Sequence, residues 1–257
     1  MIGGAIVMLV TAAAFQVSER SVEPGPGLGR QAGNPSQVTA YAKAETRRAH
    51  VLFGECVVKR YPKRAAEYLL QPYVNLADRN RQLDRMDLGD CLTNVVDGFS
   101  DIAMTLPGDT LRYALAPPLV RASFGFAPVR DFKGVPPLRH AVYNEADFNL
   151  DNPASAKARK EFEEAKALQR GATFLSRFGE CVVRTDPANS FALTMAVPES
   201  VEDKARMAAL VPVLASCLGP GQQLAFERSL LRGTIANNYF RLATAARTVR
   251  ATPGATR

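Results

Sequence analysis

The feature that most constrains this chain is a heptapeptide that occurs twice. Phe53-Gly54-Glu55-Cys56-Val57-Val58-Lys59 returns as Phe178-Gly179-Glu180-Cys181-Val182-Val183-Arg184, with six residues identical and the seventh basic in both. Pro62 and Pro187 each follow their cysteine by six residues, and a Cys-Leu pair follows at Cys91-Leu92 and Cys217-Leu218, 35 and 36 residues on. Farther along, Leu111-Arg112, Ala116 and Arg121 align with Leu231-Arg232, Ala236 and Arg241 once six extra residues in the first copy are allowed for. Self-similarity at a long, fixed period signals a structural unit used more than once. The expectation is two tandem, divergent copies of one unit, residues 37–122 and 153–250, each of about a hundred residues and able to bury a core of ordinary size.

Apolar spacing makes that unit helical. Phe162, Ala165, Leu168, Ala172, Leu175, Phe178 and Val182 recur at intervals of three and four, one stripe along a helix predicted from Pro153 to Arg184 behind an Asn152-Pro153 start signal. The first copy predicts its counterpart from Ser36 to Arg60. Pro62 and Pro187 end these helices and open short new ones, with Asp186 placed to cap the second. Ser200-Val201-Glu202-Asp203 has the form of a capping box ahead of a helix that Pro212 is expected to kink. A last helix is predicted over Gln222 to Arg250, answered by one near Thr110 to Ala122. Alternation of period two is nearly absent, so the fold class is all-α, about four helices per unit.

The segments outside the copies differ in character. Residues 1–14 form an uncharged apolar run ending in Ala12-Ala13-Ala14, which has the form of a signal-peptide core and cleavage site but lacks the usual leading Lys or Arg. Residues 15–36 are a Gly/Pro-rich linker; its Gly25-x-Gly27-x-Gly29 spacing has no Gly-Lys-Ser/Thr sequel and so no phosphate-binding loop. Residues 123–152 hold Pro128, Pro136 and Pro137 among Phe124, Phe126, Phe132, Tyr143 and Phe148. Proline forbids a long helix there, and so many aromatics predict an ordered connector packed on one or both units. Residues 251–257 are a short tail. No apolar run approaches the roughly 20 residues a spanning helix needs.

Four cysteines permit three pairings. If both copies fold alike, only Cys56 with Cys91 and Cys181 with Cys217 gives each the same covalent framework. Closing such a loop in an oxidising compartment constrains the unfolded chain by roughly 3 to 4 kcal/mol. The other readings are four reduced, buried thiols, or zinc, which would want Cys-x-x-Cys knuckles or more histidine than His50 and His140. No metal or cofactor is expected.

His50 aligns with Leu175, so its position is one of packing, and His140 sits in the connector without a counterpart. No Gly-x-Ser-x-Gly elbow is present. Glu55 and Glu180 precede the repeated cysteines; the structural expectation pairs Glu55 with Arg112 and Glu180 with Arg232 inside each unit. The chain carries 32 Lys and Arg against 25 Asp and Glu, a net charge of +7. Arg228, Arg241, Arg247 and Arg250 in the last helix are the candidate contacts for an anionic partner, lipid surface or polymer. Nucleic acid is not expected, because no base-reading motif is present.

The two Gly-Glu-Cys-Val-Val segments, with their downstream Cys-Leu and Leu-Arg elements, give the chain a resemblance to a group of uncharacterised exported proteins of alphaproteobacteria. It covers roughly Gln37 to Val120 and Pro153 to Arg250. What it implies is a periplasmic or secreted location; it carries no catalytic residues. The leading functional expectation is a non-enzymatic interaction module of the cell envelope. A small-molecule or lipid carrier with an interhelical cavity, and an enzyme with a site between the copies, are the alternatives.

Overall fold

The structure is a computed structural model that describes residues 35–72, 86–96, 108–140, 156–219 and 228–251. The signal-like segment, the linker up to residue 34, the second part of the connector from residue 141 and the tail from residue 252 lie outside the described residues. Every regular element among those described is a helix: α1 (Pro35–Arg60), α2 (Pro62–Leu70), α3 (Gly89–Val96), α4 (Gly108–Phe124), α5 (Ala156–Thr185), α6 (Pro187–Met195), α7 (Val201–Ser216) and α8 (Arg228–Ala251). The chain is all-α, and none of the described helices is long and apolar enough to cross a membrane.

Local chemistry sets the helix boundaries. Proline has no N–H to continue a helix but suits a first turn, so α1 and α5 stop just before Pro62 and Pro187, which sit at the starts of α2 and α6. Asp186 caps α6, its Oδ1 accepting from the backbone N–H of Asn189 at 2.9 Å. Ser200 Oγ accepts from the N–H of Asp203 at 3.0 Å and caps α7. Pro212 lies inside α7, and Pro117 and Pro118 inside α4, without ending either helix.

Packing centres on α4 and α8, which lie against each other; α1 and α2 pack on α4, α5 and α6 on α8, and α7 on α6. The apolar interior is continuous from Phe53, Val57, Leu115 and Leu119 to Val182, Leu193, Ile235 and Tyr239, so helices from both aligned stretches share one core. The central helix α8 is buried on every side from Leu231 to Ala243.

The repeated heptapeptide is where the helices cross. A Cβ on Gly54 would stand 2.1 Å from the carbonyl oxygen of Ala114 in α4, and one on Gly179 would stand 2.3 Å from Nδ2 of Asn238 in α8. Only glycine admits so close an approach. On either side, Phe53, Val57 and Val58, and Phe178, Val182 and Val183, are buried. The cysteines between them are bonded: Cys56 to Cys91 ties α1 to α3, and Cys181 to Cys217 ties α5 to the end of α7.

The described part of the connector is packed, and on α8. Val129, Phe132 and Val135 are buried. The Tyr239 hydroxyl donates to the Val129 carbonyl at 2.8 Å and accepts from its N–H at 2.9 Å, with the Phe132 ring edge-on to Tyr239. Burial pushes the Tyr239 hydroxyl up to about 12.

Candidate functional site

The two ion pairs expected within the units do not form. Glu55 bonds instead to Arg121, at 2.8 Å. Arg112 is buried; it donates to the Leu69 carbonyl at 3.2 Å and lies 4.7 Å over the Tyr68 ring. Arg232 is also buried; it pairs with Asp203 at 2.5 Å and donates to the carbonyls of Thr194, at 3.1 Å, and Ala196. The reason is positional. Arg112 precedes Arg121 by more than two turns of α4, too far along the axis to meet Glu55. Both aligned arginines reach instead the C-terminal ends of the short helices α2 and α6. The last carbonyls of a helix lack internal partners and carry its negative pole, so a buried guanidinium satisfies them. Leu69 and Thr194 stand thirteen residues after Cys56 and Cys181 respectively, the same place in the two aligned stretches.

Glu180 anchors a different cluster. Ser176, Glu180 and Arg184 lie four apart on α5 and so share a face. His140 reaches them from the connector, with Nδ1 2.7 Å from Ser176 Oγ and Nε2 2.6 Å from Glu180 Oε2. The Leu138 N–H donates to both carboxylate oxygens, at 3.1 and 3.2 Å. Arg184 Nε donates to Glu180 at 2.7 Å, while its other nitrogens donate to the carbonyls of Phe132, Val135 and Pro136. Arg241 donates to Ser176 Oγ at 3.5 Å and to the Arg139 carbonyl. Burial alone would raise the Glu180 carboxyl, but the hydrogen bonds from His140, Leu138 and Arg184 outweigh it and hold the group down at about 2.

The order serine, imidazole, carboxylate is that of a nucleophilic relay, yet the geometry is that of a fastening. A nucleophile must meet its substrate, and Ser176 is 0% exposed. What the cluster does is bind the connector down onto α5 and α8. Sequence reasoning missed it, treating His140 as a loop residue; the four-residue spacing of Ser176, Glu180 and Arg184 was the available signal.

The basic residues of α8 do not form one surface. Arg241 is 3% exposed and cannot meet a partner, because α8 is the central helix and only its ends reach water. This corrects its place among the anion contacts. Arg228 stands 4.0 Å from Glu199, which also pairs with Arg47 of α1 at 2.9 Å. Arg247 donates to the Ser123 carbonyl at 2.9 Å and lies 4.1 Å over the Phe124 ring. Arg250 is exposed.

A better-formed surface feature is an open hollow of about 370 Å³ on α5, lined by Arg170, Thr173, Phe174, Arg177, Phe178 and Cys217. Phe174 and Phe178 stack with centroids 5.8 Å apart and planes 16° apart. Arg170 and Arg177 are exposed beside them. The Cys181–Cys217 disulfide holds the end of α7 against α5 and so supplies one wall. Among the described residues no three His, Cys, Asp or Glu side chains gather as a metal site would need. No protein family, curated protein or solved structure matches the chain.

Proposed function

We propose that this chain is a non-enzymatic interaction protein of the cell envelope, periplasmic or secreted, built from a duplicated, disulfide-stapled helical unit. Its partner is an acidic segment of an envelope protein, taken up in the hollow on α5. The observation that carries this reading is the hollow's chemistry: two exposed arginines, Arg170 and Arg177, flank a stacked pair of phenylalanines. Arginine supplies forked donors for carboxylates, and the half-buried Phe174 ring adds apolar contact, a combination enriched in interfaces. Two structural disulfides support an oxidising compartment, as does the resemblance carried by the repeated cysteine segments. Burial of the Ser176 hydroxyl supports interaction over hydrolysis, and the openness of the hollow supports a surface-bound partner over an enclosed cargo.

The test is a titration of the disulfide-intact chain with a labelled peptide rich in glutamate and one aromatic residue, beside a lysine-rich control. Binding of the acidic peptide is expected to weaken about tenfold or more in the R170E/R177E variant, and to weaken as salt shortens the Debye length from about 30 Å to about 10 Å. Binding indifferent to both changes overturns the hollow as the site. Non-reducing peptide mapping of protein from envelope fractions addresses the compartment; free thiols at Cys56 and Cys181 overturn it.

A further inference from the structure

Helix α8 carries a strip of polar side chains deep in the core whose bonding is incomplete. Thr234, Asn237 and Asn238 are each 0% exposed. Asn238 Nδ2 donates to the Thr234 carbonyl at 2.9 Å. Thr234 Oγ1, Asn238 Oδ1 and both amide atoms of Asn237 have no hydrogen-bond partner among the described residues. Spacings of three and four set Thr234 beside both Asn237 and Asn238 on the helix surface, with Cβ atoms about 5 to 6 Å apart in each of those two pairs. That face meets α5 at Gly179, whose added Cβ would lie 2.3 Å from Asn238 Nδ2 and 2.8 Å from Thr234 Cγ2.

The sequence register confines the strip to one half. Aligned on Ala116 and Ala236, the residues of α4 at these positions are Ala114, Pro117 and Pro118. The first stretch therefore fills with apolar atoms what the second lines with donors and acceptors. A buried amide left unmatched is among the costlier defects in a folded protein, and native interiors resolve such groups with ordered water. Water also fits the chemistry of the strip. Asn237 Nδ2 needs an acceptor, Asn237 Oδ1 and Asn238 Oδ1 need donors, and Thr234 takes either role, a mixture that no single ion satisfies. The separation of the side chains is about that of two hydrogen bonds meeting at one oxygen.

We propose that the Thr234–Asn237–Asn238 face of α8 is an internal hydration site, in which ordered water bridges these side chains inside the core. The test uses the full, disulfide-intact chain labelled with nitrogen-15. Cross-peaks between the Asn237 side-chain amide protons and water, with the sign of a complex lasting longer than molecular tumbling, are expected. Their absence, with those protons in contact with protein alone, overturns the proposal. In parallel, oxygen-17 relaxation dispersion of water should lose amplitude equal to at least one long-lived molecule in the N237L/T234A variant. Unchanged amplitude in a folded variant overturns it, and if the variant does not fold, the wild-type cross-peaks decide.

Discussion

Glu180 and His50 divide the acid response of this protein into two steps. Burial lowers the His50 imidazole to about 4 from an ordinary 6.5, so the unfolded chain takes up this proton first. Stability from that group is complete above about pH 6.5 and drains as the pH falls toward 4. Glu180, held at about 2 against an ordinary 4.5, contributes stability that is complete above about pH 4.5 and is lost as the pH falls toward 2. Urea denaturation across pH 2 to 7 should therefore show H50L removing the upper step and E180Q the lower one. At neutral pH, E180Q should cost on the order of 3 kcal/mol, a gap that narrows toward pH 2. The buried Arg232–Asp203 pair makes a second prediction. Asp203→Ala leaves a guanidinium uncompensated and should cost about 3 to 5 kcal/mol in guanidinium denaturation, whereas the R232M/D203L double variant should lose less. The charges of this pair were visible in the sequence, but their partnership was not. Asp203 reads as the third helical residue of a capping box, and nothing in its spacing points to an arginine 29 residues away.

At the scale of elements, the repeated heptapeptide has a use for six of its seven positions. Phe and the two Val side chains enter the core, Cys makes the staple, Glu pairs with an arginine, exposed at Glu55 and buried at Glu180, and Gly sets how closely two helices cross. The crossings differ in what a methyl group would meet. At Gly54 it strikes the backbone of Ala114, which cannot yield; at Gly179 it strikes the side chains of Asn238 and Thr234, which can turn. Gly54→Ala should thus be destabilising by about 1 to 3 kcal/mol, and Gly179→Ala by less, read as midpoints in urea at constant m-value. The helices themselves were legible, because three-and-four spacing, Pro62, Pro187, Asp186 and Ser200 are local signals. The glutamate partners were not, because the crossing angle of α1 on α4 decides whether Glu55 meets Arg112 or Arg121. The outer hollow was equally hidden. Arg170 and Arg177 lie seven apart on a long helix, and only the docking of Cys217 beside Phe174 and Phe178 turns that face into a concavity.

For the molecule as a whole, the shared interior has a thermodynamic consequence. Helices α4 and α8 bury their faces on each other, with Gly233 against Tyr113 at a distance that leaves no room for a Cβ. Glu199 adds a polar tie, bridging Arg47 of α1 and Arg228 of α8. Calorimetry should show one cooperative transition with matching calorimetric and van't Hoff enthalpies, as expected for a single core. Replacing either cysteine pair by serine should lower that one transition, by roughly 3 to 4 kcal/mol, instead of releasing a separate half. A fragment of residues 37–122 should remain unfolded, because α4 would expose to water the face that α8 covers. Two independent transitions, assigned to the two stretches by hydrogen exchange, would contradict this.

The sequence by itself determined the helical class, the starts of most helices, and the cysteine arrangement under which both aligned stretches close alike loops. These follow from local backbone chemistry and from a pattern written twice in one chain. Tertiary structure alone decided that the two stretches share a core, that Arg112 and Arg232 serve helix ends, that Arg241 is withdrawn from the surface, and that His140 fastens the connector to Glu180. Each of these depends on how one helix lies across another, and side-chain spacing along a single helix carries no record of that angle.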